Sequence, residues 1–277
     1  MSSQRAMNTT GKHLGGGVVL YEDAFDVDWV TLCEFAEEQA QAEWESMYTP
    51  GKDPLTGEEG YINRNGYFFH EKGITEMPRH CAYLHSDPGP DIVPLLHELE
   101  HKRDLCAAEY MDRFPISAAS VWWKIKGHFL VYPTGSFLGA HADTSTDYKY
   151  GAPHPTHQIA TRTVISTLTF FNNSGTDFTG GDLVFPYLDI RHQPKAGDLL
   201  IFPSNYMGAH ECETVTSGTR FSHVGWYCQG SPDMRFEIDV TDPLEDPERA
   251  ATATNVYLTE PLGVAMKQAW AGKTRAN

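Results

Sequence analysis

A histidine and an aspartate two residues apart, His141 and Asp143, form the segment with the clearest potential for chemistry. Alternate side chains of an extended strand point to the same side, so this imidazole and this carboxylate can converge on one metal ion. His210 is the best candidate for a third ligand, because it follows an apolar stretch and two small residues that allow close access. Two histidines and one carboxylate on one face of an ion leave its other positions open, as in non-haem Fe(II) centres. Without a third ligand, a hydrogen-bonded surface pair is the more common explanation of His-x-Asp.

Ten residues after the third candidate ligand, Arg220 offers a group that can bind an anion. Gly218 suits a turn between two antiparallel strands, which would place Arg220 on the strand adjacent to that ligand. Arg220 and Ser222 share one face of their strand. A guanidinium fork pairs bidentately with a carboxylate, so a metal-chelating 2-oxo acid with a second carboxylate fits this layout. The alternative is a surface arginine that pairs with Glu211 or Glu213.

Together with several flanking motifs, these residues resemble the Fe(II)/2-oxoglutarate dioxygenase superfamily, particularly its prolyl 4-hydroxylase-like branch. The resemblance covers about residues 120–230. In chain order, the motifs that carry it are Tyr132-x-x-Gly135, His141-x-Asp143, Arg162-Thr163, Gly180-Gly181-Asp182-Leu183-Val184-Phe185-Pro186, Pro194-x-x-Gly197-Asp198, Phe202, His210, Arg220, Ser222 and Trp226. The resemblance implies a mainly β protein with flanking α-helices, built on a double-stranded β-helix (jelly-roll, cupin-like).

The resemblance also implies an enzyme, a 2-oxoglutarate-dependent non-haem iron dioxygenase that acts as a hydroxylase. Its cofactors would be Fe(II), 2-oxoglutarate as co-substrate and O₂, with ascorbate as a candidate reductant. His141, Asp143 and His210 would then be both the metal ligands and the catalytic residues. Arg220 and Ser222 would bind the distal carboxylate of 2-oxoglutarate.

Two further residues are expected in the co-substrate pocket because of the resemblance. Tyr132 would reach 2-oxoglutarate, with an aromatic core residue as the alternative. Thr169, on the strand after Arg162, would face the same pocket. Asp143 stands where related halogenases have Ala or Gly, which favours hydroxylation over halogenation. Arg220 stands where several prolyl hydroxylases have Lys, which weakens the inference of a prolyl substrate.

In this fold the loops around the mouth of the barrel set substrate specificity, and residues 49–75 and 144–158 are the two candidate segments. The segment Thr144–Gln158 directly follows the metal motif, and Asp147, Tyr148 and Tyr150 in it are candidate substrate contacts. A plain surface loop is the alternative. We expect a free amino acid or a small natural-product scaffold as substrate, with a peptidyl-prolyl side chain as the alternative. A cupin-like metal-binding protein without oxygenase activity and a metal-dependent hydrolase are hypotheses of other classes, although a hydrolase would leave Arg220 unexplained.

The first part of the chain is predicted to be helical. A helix from about Trp29 to Ser46, capped by Asp26 or Asp28, shows apolar residues at helical spacing. A second helix is predicted over Ile92–Met111. Between them, residues 49–75 are rich in Gly, Pro and Asn and predict a long loop.

The second part of the chain is predicted to be rich in strands, because runs of β-branched and aromatic residues alternate with turn signals. Within the preceding loop, Asn65-Gly66 predicts a hairpin. The predicted strands are Ser120–Lys126, His128–Tyr132, Thr161–Phe171, Asp182–Pro186, Asp198–Pro203, Glu211–Val215, Arg220–Cys228 and Met234–Val240, and a last helix is predicted over Leu262–Ala271.

Composition and charge limit the partners and the compartment. A net charge of −16 and a pI of about 5.1 give no basic footprint for nucleic acid or for an anionic membrane surface. Five cysteines without a CxxC pair indicate neither a zinc site nor a disulfide framework. We therefore expect a cytoplasmic protein with a small-molecule substrate, no nucleic acid and no membrane partner, and we leave its oligomeric state open. Residues 1–16 would be a flexible leader and residues 17–277 one domain, with the jelly-roll core at about 118–240.

Overall fold

The computed structural model describes residues 9–25, 27–63, 66–81, 89–144 and 163–229. The helices are α1 (Trp29–Met47), α2 (Glu71–Thr75), α3 (Gly89–Arg113) and α4 (Pro115–Ser120). The strands are β1 (Lys12–Gly15), β2 (Val18–Tyr21), β3 (Tyr48–Lys52), β4 (Glu59–Asn63), β5 (Phe68–His70), β6 (Arg79–Cys81), β7 (Val121–Tyr132), β8 (Leu138–His141), β9 (Thr163–Phe170), β10 (Phe178–Gly180), β11 (Leu183–Phe185), β12 (Ile190–His192), β13 (Leu199–Pro203), β14 (His210–Cys212), β15 (Val215–Gly218) and β16 (Arg220–Gln229). A short 3₁₀ turn, Tyr206–Gly208, precedes β14. None of these helices is long and apolar enough to cross a membrane.

Helices α1 and α3 confirm the two predicted helices; α1 begins as predicted and ends one residue later, and α3 extends beyond both predicted ends. Asp28 caps α1, because its Oδ1 accepts a hydrogen bond from the backbone N–H of Thr31 at 3.1 Å. Asp26 lies outside the described residues. One side of α3 is buried through Leu99 and Cys106, so the helix packs against the protein along that side.

Two facing sheets confirm the predicted fold class. The larger sheet has the strand order β1-β2-β13-β9-β16-β7-β6, and the smaller sheet has the order β12-β11-β14-β8. Leu130, Phe170 and Phe202 of the larger sheet share one apolar cluster with Leu183 and Phe185 of the smaller sheet. The space between the sheets is therefore the interior of a double-stranded β-helix.

The outer face of the larger sheet carries a second apolar cluster. Phe129, Val131 and Ile165 pack there with Leu32 of α1 and Leu99 of α3. Because neighbouring residues of a strand point to opposite faces, each strand of the larger sheet has one side toward the helices and one toward the interior. The position of a residue within its strand thus decides whether its side chain can reach the interior.

The flexible leader expected over residues 1–16 is wrong for Lys12–Gly15. These residues form β1, which pairs antiparallel with Val18–Tyr21. All four residues of β2 are buried, so β2 is fixed in the larger sheet and offers its free edge to β1. Residues 1–8 lie outside the described part of the chain, and the division into a leader and one domain stays a prediction.

The long loop expected over residues 49–75 is also wrong. The strands β3, β4 and β5 form a small sheet, and α2 follows them. Trp44 and Tyr61 pack edge to face at 5.1 Å between ring centroids, and Tyr48 and Phe69 do so at 5.7 Å. These aromatic contacts stabilise strands that the glycine and proline content disfavours. β4 and β5 pair on either side of the position where a hairpin is predicted.

Several strand boundaries differ from the prediction. β7 is one strand where two are predicted, since Gly127 lets the chain continue past a close contact. A Cβ atom at Gly127 would lie 1.9 Å from the carbonyl oxygen of Val224. The segment predicted as Glu211–Val215 divides into β14 in the smaller sheet and β15, which pairs with β10. The predicted elements Met234–Val240 and Leu262–Ala271 lie outside the described residues.

A buried histidine lies on the outer face of the larger sheet. His223 is fully buried in β16, and its Nδ1 lies 3.3 Å from Nη1 of Arg103 in α3. Its ring packs edge to face against Phe129 at 5.1 Å. Burial, together with the positive charges of Arg103, His128 and Lys124, lowers the pKa of His223 well below its usual range. His223 is therefore neutral in the folded protein even in mild acid.

We expect this histidine to make the protein less stable in mild acid. Below about pH 6.5 the unfolded chain binds a proton at His223 that the folded chain does not. The free energy of unfolding therefore decreases as the pH is lowered. Between pH 7.5 and 5.5 the loss would be at most about 1.4 kcal/mol, the value for a site that stays neutral throughout, and His223→Gln should remove it. Urea unfolding at the two pH values measures this difference. His70→Gln, at an exposed histidine, is the control. The same pH dependence in wild type and His223→Gln would contradict the expectation.

Candidate metal and co-substrate site

Three potential metal ligands meet at one end of the smaller sheet. His141 ends β8 and His210 begins β14, and the two residues are direct partners in the antiparallel pairing. Asp143 follows β8 by two residues. The nearest ligand atoms of His141, Asp143 and His210 all lie within 4.8 Å of one another. The Oδ1 atom of Asp143 lies 3.5 Å from Nε2 of His141 and 4.0 Å from Nε2 of His210. The structure thus brings together the three residues that the spacing singles out.

Backbone carbonyls orient both imidazole rings. Nδ1 of His141 lies 2.8 Å from the carbonyl oxygen of Gly139, and Nδ1 of His210 lies 3.0 Å from that of Gly208. In a neutral ring the nitrogen facing a carbonyl carries the hydrogen, so Nε2 of each ring keeps its lone pair. Both lone pairs are then available inside the cluster, as metal ligation requires.

The Asp143 carboxylate is held by two donors on its other oxygen. Ser166 Oγ donates a hydrogen bond to Oδ2, and Nε1 of Trp226 donates to the same atom at 2.8 Å. Ser166 is fully buried, and the side chain of Asp143 is 8% exposed. Oδ1 is therefore the oxygen that faces the two imidazoles.

The electrostatic environment sets the protonation states of the cluster. Burial lowers the pKa of His210, and the charges of His141 and Arg220 lower it further against the attraction of Asp143. A hydrogen bond from the protonated ring to Asp143 raises the pKa of His141 against the effect of burial. Burial would raise the pKa of Asp143, but the hydrogen bond with His141, the charge of His210 and two further donors lower it to about 2. At neutral pH the cluster offers an ionised carboxylate and a neutral His210, the forms that bind metal.

The donor set fits a mononuclear Fe(II) ion. Two imidazole nitrogens and one carboxylate oxygen converge from neighbouring segments, which is the ligand set of non-haem Fe(II) oxygenases with open positions. The same donors can bind other divalent metals of the first transition series with different affinity. The chemistry of the cluster therefore supports the predicted iron site.

Arg220 does not lie on the strand adjacent to His210, contrary to the expectation from Gly218. It begins β16 in the larger sheet, whereas β14 pairs with β8 and β11 in the smaller sheet. After β15 the chain crosses from one side of the barrel to the other. Arg220 thus approaches the metal cluster from the opposite sheet.

The guanidinium of Arg220 is a buried charge with unused donors. Arg220 is 1% exposed, and its Nη1 lies 2.9 Å from Sγ of Cys212. The group lies over the rings of Tyr132 and Phe170, at 4.8 and 5.1 Å from their centroids. Nε and Nη2 of Arg220 and Oγ of Ser222 are buried without a hydrogen-bond partner among the described residues.

This arrangement fits the carboxylate of a bound acid. A buried cation without an acidic partner is costly, and a guanidinium binds a carboxylate through two parallel hydrogen bonds. Within the described residues no acidic side chain pairs with Arg220, and Glu213 instead pairs with Arg191 on the surface. The alternative of a surface arginine paired with a glutamate is therefore wrong. The unsatisfied Ser222 hydroxyl offers one more hydrogen bond beside the fork.

The two remaining candidates for the co-substrate pocket, Tyr132 and Thr169, lie on different faces of the larger sheet. Tyr132 is 1% exposed, faces Arg220 across the sheet pairing, and burial raises the pKa of its hydroxyl. Thr169 is on the wrong side of its strand, because its neighbours Leu168 and Phe170 belong to the interior cluster. Thr169 pairs with His223 on the helix-facing side, so the prediction that it faces the pocket is wrong.

The predicted substrate contacts cannot be placed in the same way. Asp147, Tyr148 and Tyr150 lie outside the described residues, as does Arg162 of the motif. The sequence reasoning also missed Ser166 and the buried thiol of Cys212. A serine in a strand of β-branched residues carries no spacing signal, and only the register of β9 places its hydroxyl at Asp143.

Gly208 fixes the approach of His210, and we expect its substitution to weaken metal binding. A Cβ atom at Gly208 would lie 1.9 Å from the carbonyl oxygen of Pro203, so Gly208→Ala must displace the turn that leads to His210. We expect Co²⁺ affinity, measured by calorimetric titration, to fall about tenfold or more.

Gly139→Ala is the matched control for this substitution. The carbonyl of Gly139 orients the other ring, but a Cβ atom there would meet nothing within 4 Å. It should bind Co²⁺ like the wild type. Equal affinity of Gly208→Ala and wild type would show that the turn does not control the ligand.

Comparison with protein families identifies the part of the chain that carries this site. Residues 127–228 match the model of the 2OG-Fe(II) oxygenase superfamily. The matched segment contains the metal cluster, Arg220 and Ser222. A prolyl-4-hydroxylase of Pseudomonas putida of known structure aligns at 18% identity with a TM-score of 0.45, covering 78% of this chain and 94% of that chain.

The curated relatives are also similar to only part of this chain. A PKHD-type hydroxylase from Psychrobacter sp. (strain PRwf-1) is 36% identical over 100 residues, which are 35% of this chain and 36% of that protein. A PKHD-type hydroxylase from Hyphomonas neptunium (strain ATCC 15444) is 30% identical over 132 residues, which are 45% of this chain and 55% of that protein. The matches thus span only 36% and 55% of the lengths of these two relatives. The predicted resemblance is confirmed over residues 127–228, which match the 2OG-Fe(II) oxygenase superfamily.

Proposed function

We propose that this chain is a mononuclear Fe(II)- and 2-oxoglutarate-dependent dioxygenase that hydroxylates an unactivated C–H bond. The observation that carries the proposal is the combination of two groups in one barrel. A cluster of two histidines and one aspartate shares the barrel with a buried arginine that has no acidic partner among the described residues. A metal-dependent hydrolase or a simple metal-binding protein would need the cluster but would not need Arg220.

The residues of the cluster would hold the metal through Nε2 of His141, Nε2 of His210 and Oδ1 of Asp143. Bound there, Fe(II) together with 2-oxoglutarate and O₂ would supply the oxidising power for hydroxylation, with succinate and CO₂ as co-products. With its three ligand atoms on one side, the protein would leave room for the co-substrate and O₂. Its backbone carbonyls keep both rings oriented without any bound ion.

Arg220 would bind the distal carboxylate of 2-oxoglutarate through Nε and Nη2, the two guanidinium nitrogens without a partner. Ser222 would donate a further hydrogen bond to the same carboxylate. Tyr132 and Phe170 restrict the guanidinium by contact with its faces and exclude water from it. A carboxylate bound in such a dry site interacts more strongly with the cation than it would in water.

For the substrate, we propose a free amino acid or a small natural-product scaffold. Arg220 departs from the lysine of several prolyl hydroxylases, and this departure supports a substrate other than a prolyl side chain. The competing proposal is a peptidyl-prolyl side chain, which the resemblance to the prolyl 4-hydroxylase-like branch supports. Hydroxylation is proposed over halogenation, since Asp143 occupies the position of the carboxylate ligand.

An anaerobic spectroscopic titration tests the proposed function. Fe(II) and 2-oxoglutarate added together should produce a visible charge-transfer band, because the 2-oxo acid chelates the metal. His141→Ala should lose the band, since it removes one of three ligands. On exposure to O₂, the wild type should release succinate.

The same assay then screens substrates. Succinate release is measured with amino acids, small scaffolds and prolyl peptides, and stimulation by one class identifies the substrate. Stimulation by prolyl peptides alone would overturn the small-molecule proposal. Neither a band nor succinate with any of them would favour a binding protein, and hydrolysis without O₂ would favour a hydrolase.

Substitution of Arg220 tests the co-substrate site separately from the metal site. Arg220→Gln removes a charged, bidentate partner of the carboxylate, so the Kd for 2-oxoglutarate should rise on the order of 100-fold. Binding of Co²⁺ in the absence of 2-oxoglutarate should remain. The control is Arg191→Gln, at an arginine that is 53% exposed and pairs with Glu213. An unchanged Kd for 2-oxoglutarate in Arg220→Gln would reject this role.

A further inference from the structure

We infer that Ser166 and Ser204 are positioning residues for Asp143. They form a directed pair of hydroxyls that holds one carboxylate oxygen and leaves the other for the metal. The inference rests on the proposed function, because it explains how the protein orients the carboxylate that would bind the metal. It concerns two serines that no motif of the sequence singles out.

The two oxygens of Asp143 have different partners. Oδ2 accepts hydrogen bonds from Ser166 Oγ and, at 2.8 Å, from Nε1 of Trp226. Oδ1 lies 3.5 Å from Nε2 of His141 and 4.0 Å from Nε2 of His210. Oδ2 is thus occupied by its two donors, and Oδ1 is the oxygen beside the imidazoles. The carboxylate would therefore bind a metal through Oδ1 alone.

The direction of the hydroxyl pair follows from the inventory of donors. An ionised carboxylate only accepts hydrogen bonds, so the single hydroxyl hydrogen of Ser166 is used on Asp143. Ser204 Oγ lies 2.8 Å from Ser166 Oγ and must then be the donor of that second bond. The sequence of donation runs from Ser204 to Ser166 to Asp143. Ser204 is 1% exposed and Ser166 is fully buried, so water does not compete for these bonds.

The backbone fixes Ser204 from two sides. Its N–H donates to the carbonyl oxygen of Val164 at 3.0 Å, and its carbonyl oxygen accepts from the N–H of Thr144 at 3.1 Å. Val164 lies in the strand of Ser166, and Thr144 directly follows Asp143. Ser204 itself follows β13 and precedes the turn that leads to His210. The serine therefore connects the segments that carry two of the three ligands and holds them together before any metal binds.

The neighbouring residue Thr167 shows what an ordinary buried hydroxyl does in this strand. It points to the other face of β9 and donates to the carbonyl oxygen of Gly225 at 2.9 Å. That bond satisfies the hydroxyl within the sheet and does not touch the cluster. Ser166 instead uses its hydrogen on a carboxylate ligand, which a purely structural serine would not need.

Metal titration of five variants of the full chain tests the inference. Co²⁺ binding is measured by calorimetry without 2-oxoglutarate, and thermal unfolding is measured without metal. Ser166→Ala should raise the Kd for Co²⁺ about tenfold or more, the range found when a partner of a metal ligand is removed. Ser204→Ala should raise it by a smaller factor. Ser166→Ala/Ser204→Ala should match Ser166→Ala, because Ser204 acts through Ser166.

Thr167→Val is the matched control, since it removes a buried hydroxyl from the same strand on the other face. It should lower the unfolding temperature without changing the Kd for Co²⁺. A Kd for Ser166→Ala equal to that of the wild type would overturn the inference, as would independent, multiplicative effects of the two serines. If Ser166→Ala does not fold, Ser204→Ala decides alone, and an unchanged Kd in that variant overturns the inference.

Asp143→Ala distinguishes failure of the inference from failure of the proposed function. If the wild type binds Co²⁺ and Asp143→Ala does not, the metal site stands whatever the serine variants show. If Asp143→Ala binds Co²⁺ as the wild type does, the metal site itself is wrong and the positioning role falls with it. Retention of metal binding in the serine variants alone would reject only the positioning role.

Discussion

The pairing register of β8 and β14 is the constraint on which the site depends. It sets His141 directly opposite His210, so that two imidazoles from distant parts of the chain face one point. A slip of one residue would turn one of the rings to the other face of the sheet. The apolar interior opposes such a slip, since Cys212 of β14 or Leu138 of β8 would have to leave the core at the same time. The packing of the barrel thus enforces the geometry of the metal ligands.

The two sheets contribute different chemistry to the interior. The smaller sheet supplies the two imidazoles, and the larger sheet supplies the groups that interact with anions. Arg220 and Ser222 on β16 would bind the co-substrate, while Ser166 on β9 and Trp226 on β16 hold the Asp143 carboxylate. Because the two sets are on facing sheets, the distance between the metal and the arginine depends on how closely the sheets pack. The phenylalanines between them, Phe170, Phe185 and Phe202, therefore determine the dimensions of the site as well as the stability of the fold.

The sequence predicts the residue types of the site better than their placement. Strand alternation and the order of the motifs identify His141, Asp143 and His210, and these three lie together. The same alternation fails for Thr169, because the sequence does not show which alternate residues of the strand face the interior. Local turn chemistry also suggests that Arg220 lies beside His210. The strand order of a barrel is set by contacts distant in sequence, so a glycine turn cannot show that the chain changes sheets.

The fold shows the same division between local and distant information. The two long helices follow from periodicity and a cap, both of which are local signals. Residues 49–75 look like a loop by composition, yet rings that are far apart in sequence, such as Tyr48 and Phe69, pack together and hold three strands. Local propensity is a weak guide where aromatic contacts across strands outweigh it. The jelly-roll is nevertheless predictable as a fold class, because many short strands that carry the motifs in this order are compatible with few other folds.

The cost of burying Arg220 links stability to function. Removing a guanidinium from water without an acidic partner costs several kcal/mol, even after relaxation of the protein. The rings of Tyr132 and Phe170 and the thiol of Cys212 offset part of this cost, but they satisfy only one of the three guanidinium nitrogens. A core built only for stability would have an apolar side chain at this position. The protein instead keeps a buried charge with unsatisfied hydrogen-bond donors there. An anionic ligand that enters the barrel would satisfy these donors and offset the cost of burial.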